Sequence, residues 1–122
     1  MTTRILAVDD SPTIRALVSK ALRNAGFEVF LASDGVEGVG ALSEADPHLI
    51  ITDINMPRMD GFGLIESVRS TGTHAEVPIL VLTTESGADL KARARSAGAT
   101  GWIVKPFEDA RLIAVIDKVL GR

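Results

Sequence analysis

Short apolar, β-branched runs alternate along this chain with longer stretches in which apolar residues recur three and four positions apart. That alternation predicts an α/β architecture with a mostly parallel sheet, because each crossover helix returns the chain to the same edge before the next strand begins. The first run, Ile5-Leu-Ala-Val8, stops at Asp9-Asp10, and Ser11-Pro12 supplies a helix cap followed by a proline in the first turn. Ile14, Leu17, Val18, Ala21 and Leu22 then form one apolar stripe, and Gly26 stands where a left-handed helix stop is needed.

Phe27, Val29 and Leu31 alternate with Glu28 and Phe30, which predicts a partly exposed strand near an edge of the sheet. A turn at Ser33-Asp34-Gly35 leads into a helix over 36–45, weakened by Gly38 and Gly40 at about 1 kcal/mol each relative to alanine. Leu49-Ile-Ile51 and Ile79-Leu-Val-Leu82 are continuously apolar, as strands covered on both faces must be. Between them, Met56-Pro57-Arg58-Met59-Asp60-Gly61 reads as a loop, and Phe62, Ile65 and Val68 open a third helix. The helix over 88–97 has Leu90 as its only large apolar residue, so thin packing is expected. Trp102-Ile-Val104 reads as the fifth strand, closed by Lys105-Pro106. Leu112, Ile113, Ile116, Val119 and Leu120 form the stripe of a last helix, with Glu108 and Asp109 at its start and Gly121 at its end. The elements account for residues 1–122 as a single domain, with no linker or repeat.

Composition narrows the chemistry. The chain has 122 residues, 13 Lys+Arg against 16 Asp+Glu, a net charge of -3, 46% hydrophobic residues and no cysteine. A chain of this length buries roughly two thirds of its unfolded surface and needs no staples. The absence of cysteine removes disulfides, thiolate metal sites and a cysteine nucleophile, leaving oxygen and nitrogen chemistry. The weak acidity, with Lys91, Arg93 and Arg95 spaced rather than contiguous, argues against a broad nucleic-acid surface. No apolar run approaches membrane-span length, and Ile5–Val8 is too short for a signal-peptide core. A cytoplasmic protein with no nucleic-acid or membrane partner is expected.

In an open parallel sheet, ligands bind outside the carboxyl ends of the strands, and right-handed crossovers bring all those ends to one edge. Here the runs end in Asp9-Asp10, Asp53, Thr83-Thr84 and Lys105. Like charges about 4 Å apart repel by roughly 4 kcal/mol at an effective dielectric of 20, so three gathered carboxylates need positive charge among them. Lys105 compensates one, leaving a site suited to a hard dication, Mg²⁺ or Mn²⁺, with positions open for phosphate oxygens. Taken singly, Asp9 and Asp10 read as help for a helix cap and Asp53 as the start of a turn. Their joint placement with Thr83 and Lys105 favours a metal-phosphate site.

Asp9-Asp10-Ser-Pro-Thr-Ile-Arg15, Asp53-Ile-Asn-Met-Pro57 with Met59-Asp60-Gly61, Thr83-Thr84 and Trp102-Ile-Val-Lys105-Pro106 resemble, in order and over essentially the whole chain, the receiver domain of two-component response regulators. The likeness is to single-domain, CheY-like chemotaxis regulators. It implies a flavodoxin-like, doubly wound (βα)5 fold with a five-stranded parallel sheet in the order 2-1-3-4-5, an order taken over from those regulators. By the same resemblance Asp53 would be the phosphoacceptor, attacking a phosphohistidine of a histidine kinase, with a chemotaxis CheA-type kinase expected. Asp10, Asp53 and the main-chain carbonyl of Asn55 would hold Mg²⁺, for which Mn²⁺ can substitute, with Asp9 helping directly or through water. Lys105 and Thr83 would contact phosphoryl oxygens, and Asn55 and Glu85 would tune loss of the phosphate to water. The Lys105-Pro106 bond would be cis, against a base rate of about 5 to 6% for X-Pro bonds.

The resemblance also implies that phosphorylation draws Thr83 toward the phosphate, turns the aromatic at position 102 inward and shifts the fourth helix. Tryptophan replaces the family's usual tyrosine or phenylalanine there, so Trp102 reads equally as a rotating switch or a static anchor. Lys91, Arg95, Trp102 and Val104 are the candidate output face, or else a solvated one. His48 and His74 show no partner pattern. The expected function is a monomeric signalling switch whose target is a flagellar motor switch protein, with a phosphatase a possible further partner. It would not be an enzyme beyond its own phosphotransfer and dephosphorylation. A phosphate sink or phosphorelay intermediate is the alternative within signalling. From other classes come a small Mg²⁺-dependent aspartyl-phosphate phosphatase, for which the second aspartate of Asp-x-Asp is replaced by Ser11, and a flavin binder, disfavoured by acidic strand ends.

Overall fold

The computed structural model of the chain describes residues 2–122. Its elements run β1 (Arg4–Val8), α1 (Pro12–Asn24), β2 (Glu28–Ala32), α2 (Gly35–Ala45), β3 (Leu49–Thr52), α3 (Gly61–Ser70), β4 (Ile79–Thr83), α4 (Ala88–Ala97), β5 (Gly101–Val104) and α5 (Asp109–Val119). The strands form one parallel sheet in the order β2-β1-β3-β4-β5. Because side chains alternate across a strand, the two faces feed two separate cores. Ile5, Ala7, Ile51, Leu80 and Leu82 meet Val18 and Leu22 of α1 and Leu112 and Ile116 of α5 on one side. Leu6, Val8, Ile50, Ile79 and Val81 meet Leu42 of α2, Phe62, Leu64, Ile65 and Val68 of α3 and Ala94 of α4 on the other. The uninterrupted apolar runs are thus the strands covered twice.

The helix boundaries follow their caps. Ser11 accepts from the Ile14 amide at 3.2 Å with Pro12 at the first helical position, and Gly26 takes φ +92° just past α1. Asp34 and Asp60 cap α2 and α3 through the amides of Glu37 and Gly63, both at 2.8 Å. The Lys105-Pro106 peptide is cis.

Three side chains depart from the pattern read in the sequence. Leu17 is 50% exposed, because it lies about 100° round the helix from buried Val18, on the flank of the stripe. Leu31 is 40% exposed, and Phe30, expected on the open side, packs against the second core. β2 is an edge strand, so its cover does not extend over Leu31. The histidines have partners that the sequence did not suggest. Buried His74 shares its Nε2 with Asp46 Oδ1 at 3.0 Å, and exposed His48 accepts at Nδ1 from the Arg4 amide at 2.9 Å. Among the described residues no helix is long and apolar enough to cross a membrane.

α4 is held lightly. Ala94 is its one buried residue, and Gly87 at its start makes no side-chain cap. Its far end is tied instead: Arg69 of α3 donates to the Gly98 carbonyl through Nε at 3.0 Å and Nη2 at 2.7 Å, while Nη1 reaches the carbonyls of Ala75 and Val77. Arg93 also lies 3.9 Å over the Phe62 ring. The two elements therefore differ in what a truncation removes. Leu112→Ala, in the core under α5, is expected to cost about 2–5 kcal/mol, and Leu90→Ala on α4 about 1 kcal/mol or less. Urea denaturation of both variants measures the difference, and equal costs would contradict the thin packing of α4.

Candidate functional site

Asp9, Asp53 and Lys105 each continue the sheet by one residue, which fixes the backbone before the side chain is considered. The Asp9 amide donates to the Ala32 carbonyl at 3.1 Å, Asp53 to Val8 at 3.0 Å and Lys105 to Thr83 at 2.7 Å. Parallel topology therefore gathers these residues at one edge, as the strand-end pattern predicts.

Lys105 is the centre of the arrangement. Its Nζ lies 2.7 Å from Asp9 Oδ2 and 2.8 Å from Asp53 Oδ2, and the side chains of Lys105, Asp9 and Asp53 are only 9%, 8% and 12% exposed. The other carboxylate oxygens are fixed by main chain: Ser11 donates to Asp9 Oδ1 at 2.9 Å, and Ile54 to Asp53 Oδ1 at 2.6 Å. Arg15 of α1 donates through Nη1 to the Asp9 carbonyl at 2.7 Å. Burial acts to lower the Lys105 pKa, but the hydrogen bonds and charge of Asp53 and Asp9 outweigh it and raise the value above the ordinary 10.5.

Asp10 stands beside this pair and is exposed. Asp9, Asp10 and Asp53 each offer one ligand oxygen, all within 4.8 Å of one another. Three carboxylates against one lysine leave negative charge in excess, and an all-oxygen donor set fits Mg²⁺ or Mn²⁺. The residues present thus fit the dication implied by the sequence.

The remaining candidates lie on the neighbouring loops. Thr83 is fully buried, and its Oγ1 accepts from the Glu85 amide at 3.3 Å. Asn55 Nδ2 donates to Glu85 Oε1 at 3.2 Å, joining the loops that follow β3 and β4. Trp102 is half-buried and donates from Nε1 to the Glu85 carbonyl at 3.0 Å. Thr83 and Trp102 therefore bind opposite ends of one residue. Lys91, Arg95 and Trp102 line one groove between α4 and β5, and Lys91, Trp102 and Val104 line the next, toward α5, so the candidate output residues share one face.

Sequence reasoning missed three supports. Arg15 belongs to the opening motif, yet nothing in its spacing marks it as a donor to Asp9. Gly61 closes on the acceptor so tightly that a Cβ there would lie 2.2 Å from the Asp53 carbonyl oxygen, while its amide bonds Ile54 at 2.8 Å. Asp34, besides capping α2, accepts from Arg58 Nε at 2.7 Å and Nη2 at 3.1 Å. The Arg58 hydrogen bonds foremost, then the Glu37 amide, hold the Asp34 carboxyl below the usual carboxylate range.

Residues 5–117 match the family model of the response regulator receiver domain. The chain is 41% identical over 120 residues to the chemotaxis protein CheY1 of Helicobacter pylori, covering 97% of each. The structure of the chemotaxis protein CheY4 of Vibrio cholerae superposes with a TM-score of 0.94 at 42% identity, covering 98% of this chain and 99% of that one. The receiver domain of the sensor histidine kinase PA1611 of Pseudomonas aeruginosa, solved with a magnesium ion coordinated in its active-site cleft, superposes with a TM-score of 0.91 at 26% identity over 100% of both chains.

The ion triad yields a pH signature. Lys105→Met leaves two buried carboxylates facing each other and is expected to cost about 3 kcal/mol near neutral pH. Since the folded-state pKa of Lys105 is raised, its contribution is fully present below the ordinary 10.5 and disappears as pH rises through the higher folded value. Denaturation of wild type and Lys105→Met across neutral to alkaline pH checks this. The stability gap should stay constant at neutral pH and narrow only on the alkaline side.

Proposed function

The chain belongs to the response regulator receiver domain family, and from that premise we propose that Asp53 accepts a phosphoryl group from a phosphohistidine of a histidine kinase in a Mg²⁺-dependent step. One observation carries the reading: a single lysine bridges two buried carboxylates of a triad that still carries excess negative charge. Ion-paired with Lys105, Asp53 attacks as a carboxylate and needs no base, so catalysis reduces to positioning and charge stabilisation. An Asp53 oxygen attacks phosphorus, the phosphorus-nitrogen bond breaks, and the imidazole leaves with the bonding electron pair. Lys105, released from Asp53 Oδ2, would follow the charge onto a phosphoryl oxygen. Asp10, Asp53 and the Asn55 carbonyl, with Asp9, would hold the ion, which when bound supplies Lewis-acid stabilisation of the transferring phosphoryl oxygens.

The readout follows from the loop after β4. A phosphoryl group brings about 1.5 to 2 negative charges and new acceptor oxygens. The Thr83 hydroxyl would donate to one of them, drawing the loop inward and disturbing the Glu85 carbonyl that Trp102 holds. The lightly packed start of α4 is the element that yields at least cost. The changed α4-β5-α5 face, with Lys91, Arg95, Trp102 and Val104, would then bind a target. The CheY relatives favour a chemotaxis target such as a flagellar motor switch protein. On this reading the chain is a phospho-accepting signalling domain and not a turnover enzyme.

Incubation with a small phosphodonor and Mg²⁺, read by intact mass, tests the acceptor. Wild type should gain one phosphoryl group and Asp53→Asn none, and chelation of the metal should abolish the gain. Labelling that survives in Asp53→Asn would reject this assignment. In the phosphorylated protein Trp102 fluorescence should change; an unaltered signal would assign Trp102 the part of a static anchor.

A further inference from the structure

The loop over 54–60 carries the Asn55 carbonyl, and it is pinned beyond Asn55 by a side-chain pair outside the Asp9, Asp10 and Asp53 cluster. We propose that Arg58 is a positioning residue for divalent-metal binding, its forked pair with Asp34 fixing this loop on the first turn of α2. The inference deepens the reading of Asp53 as a metal-assisted acceptor and rests on it.

Arg58 has φ +63°, and among the described residues only Asp46 is another non-glycine with positive φ. Glycine would adopt that conformation without the Cβ contact that disfavours it in arginine, so backbone geometry gives no reason for a long side chain here. The side chain supplies the reason. Its Nε and Nη2 take the two oxygens of one carboxylate, at 2.7 and 3.1 Å, in the planar two-pronged geometry that lysine cannot reproduce. The anchor is rigid: Asp34 is buried and caps Glu37 at 2.8 Å, while Glu37 reaches back to the Ser33 amide at 3.1 Å and to its hydroxyl at 2.8 Å. Main chain completes the seat, the Gly35 amide bonding the Met59 carbonyl at 3.0 Å where a Cβ on Gly35 would lie 2.6 Å from that oxygen.

The loop's other end is closed by the Gly61 amide on the Ile54 carbonyl at 2.8 Å, and Ile54 in turn donates to Asp53 Oδ1 at 2.6 Å. Asn55 thus sits between two fixed points, one at the acceptor and one at α2. Loss of the fork leaves the outer point on the Gly35–Met59 main-chain bond alone, which lets the Asn55 carbonyl shift from the position a dication requires while the three carboxylates stay in place.

The experiment is a calorimetric Mg²⁺ titration of wild type, Arg58→Gly and Asp34→Asn, with circular dichroism to confirm the fold. Arg58→Gly suits the backbone and removes the fork; Asp34→Asn retains a capping side chain and removes the charge. Each is expected to weaken Mg²⁺ about tenfold, and the double variant no more than either single one. Phosphorylation by a small phosphodonor should be slowed at low Mg²⁺ and restored to the wild-type rate at saturating Mg²⁺, a recovery that a damaged acceptor would not show. Unchanged Mg²⁺ affinity in a folded variant overturns the proposal, as does a rate deficit that persists at saturation. Should wild type itself bind no Mg²⁺, the parent reading falls first and takes this one with it.

Discussion

Mutual repulsion among carboxylates at one edge of the sheet is the constraint about which the rest of this molecule is organised. A parallel sheet with right-handed crossovers has no means of dispersing the residues that follow its strands. Asp9, Asp10 and Asp53 are therefore brought together, two of them out of water. Unpaired, such groups would be costly to bury, and one lysine directly after the fifth strand meets part of that cost. The negative charge left in excess sits on side chains already held by main-chain amides and by Lys105, an arrangement that needs little reorganisation to receive a cation.

Order at the edge is coupled to looseness elsewhere. Lys105 follows directly on β5, whose Trp102 holds the Glu85 carbonyl, while Glu85 donates its amide to Thr83 and accepts from Asn55 through its carboxylate. Thr83, Asn55 and Trp102 thus converge through hydrogen bonds on Glu85, in the loop that leads from β4 to α4. That helix buries one alanine and lacks a side-chain cap at its start, whereas Arg69 secures its other end. A rigid site beside a lightly held helix is the division of stability that a switch requires.

Much of this was legible along the chain because periodicity reports burial. Doubly covered strands read as unbroken apolar runs, and the strand-end residues Asp9, Asp53, Thr83 and Lys105 mark the edge in the sequence itself. Where legibility failed, the cause was geometric. Leu17 and Leu31 are apolar by composition, but one lies on the flank of a helix and the other on an edge strand, so composition overstated their burial. The Asp34–Arg58 fork joins a helix cap to a loop 24 residues away, and His74 finds Asp46 across 28, distances over which local pattern carries no information. Gly61 read as an ordinary turn glycine; that it must also clear the Asp53 carbonyl is a property of packing. The strand order and the cis Lys105-Pro106 bond came from family likeness and not from periodicity.

We propose that the acidic edge seats a divalent ion next to Asp53, with Asp10 as the exposed ligand. A direct measurement is a crystal structure of the protein grown with Mn²⁺, whose anomalous scattering locates the ion without reference to the protein's own density. One ion is expected, bound by oxygens of Asp10 and Asp53 and by the Asn55 carbonyl, and lost in Asp10→Asn. An edge that stays empty of Mn²⁺, or an ion that persists at the same place in Asp10→Asn, would contradict it.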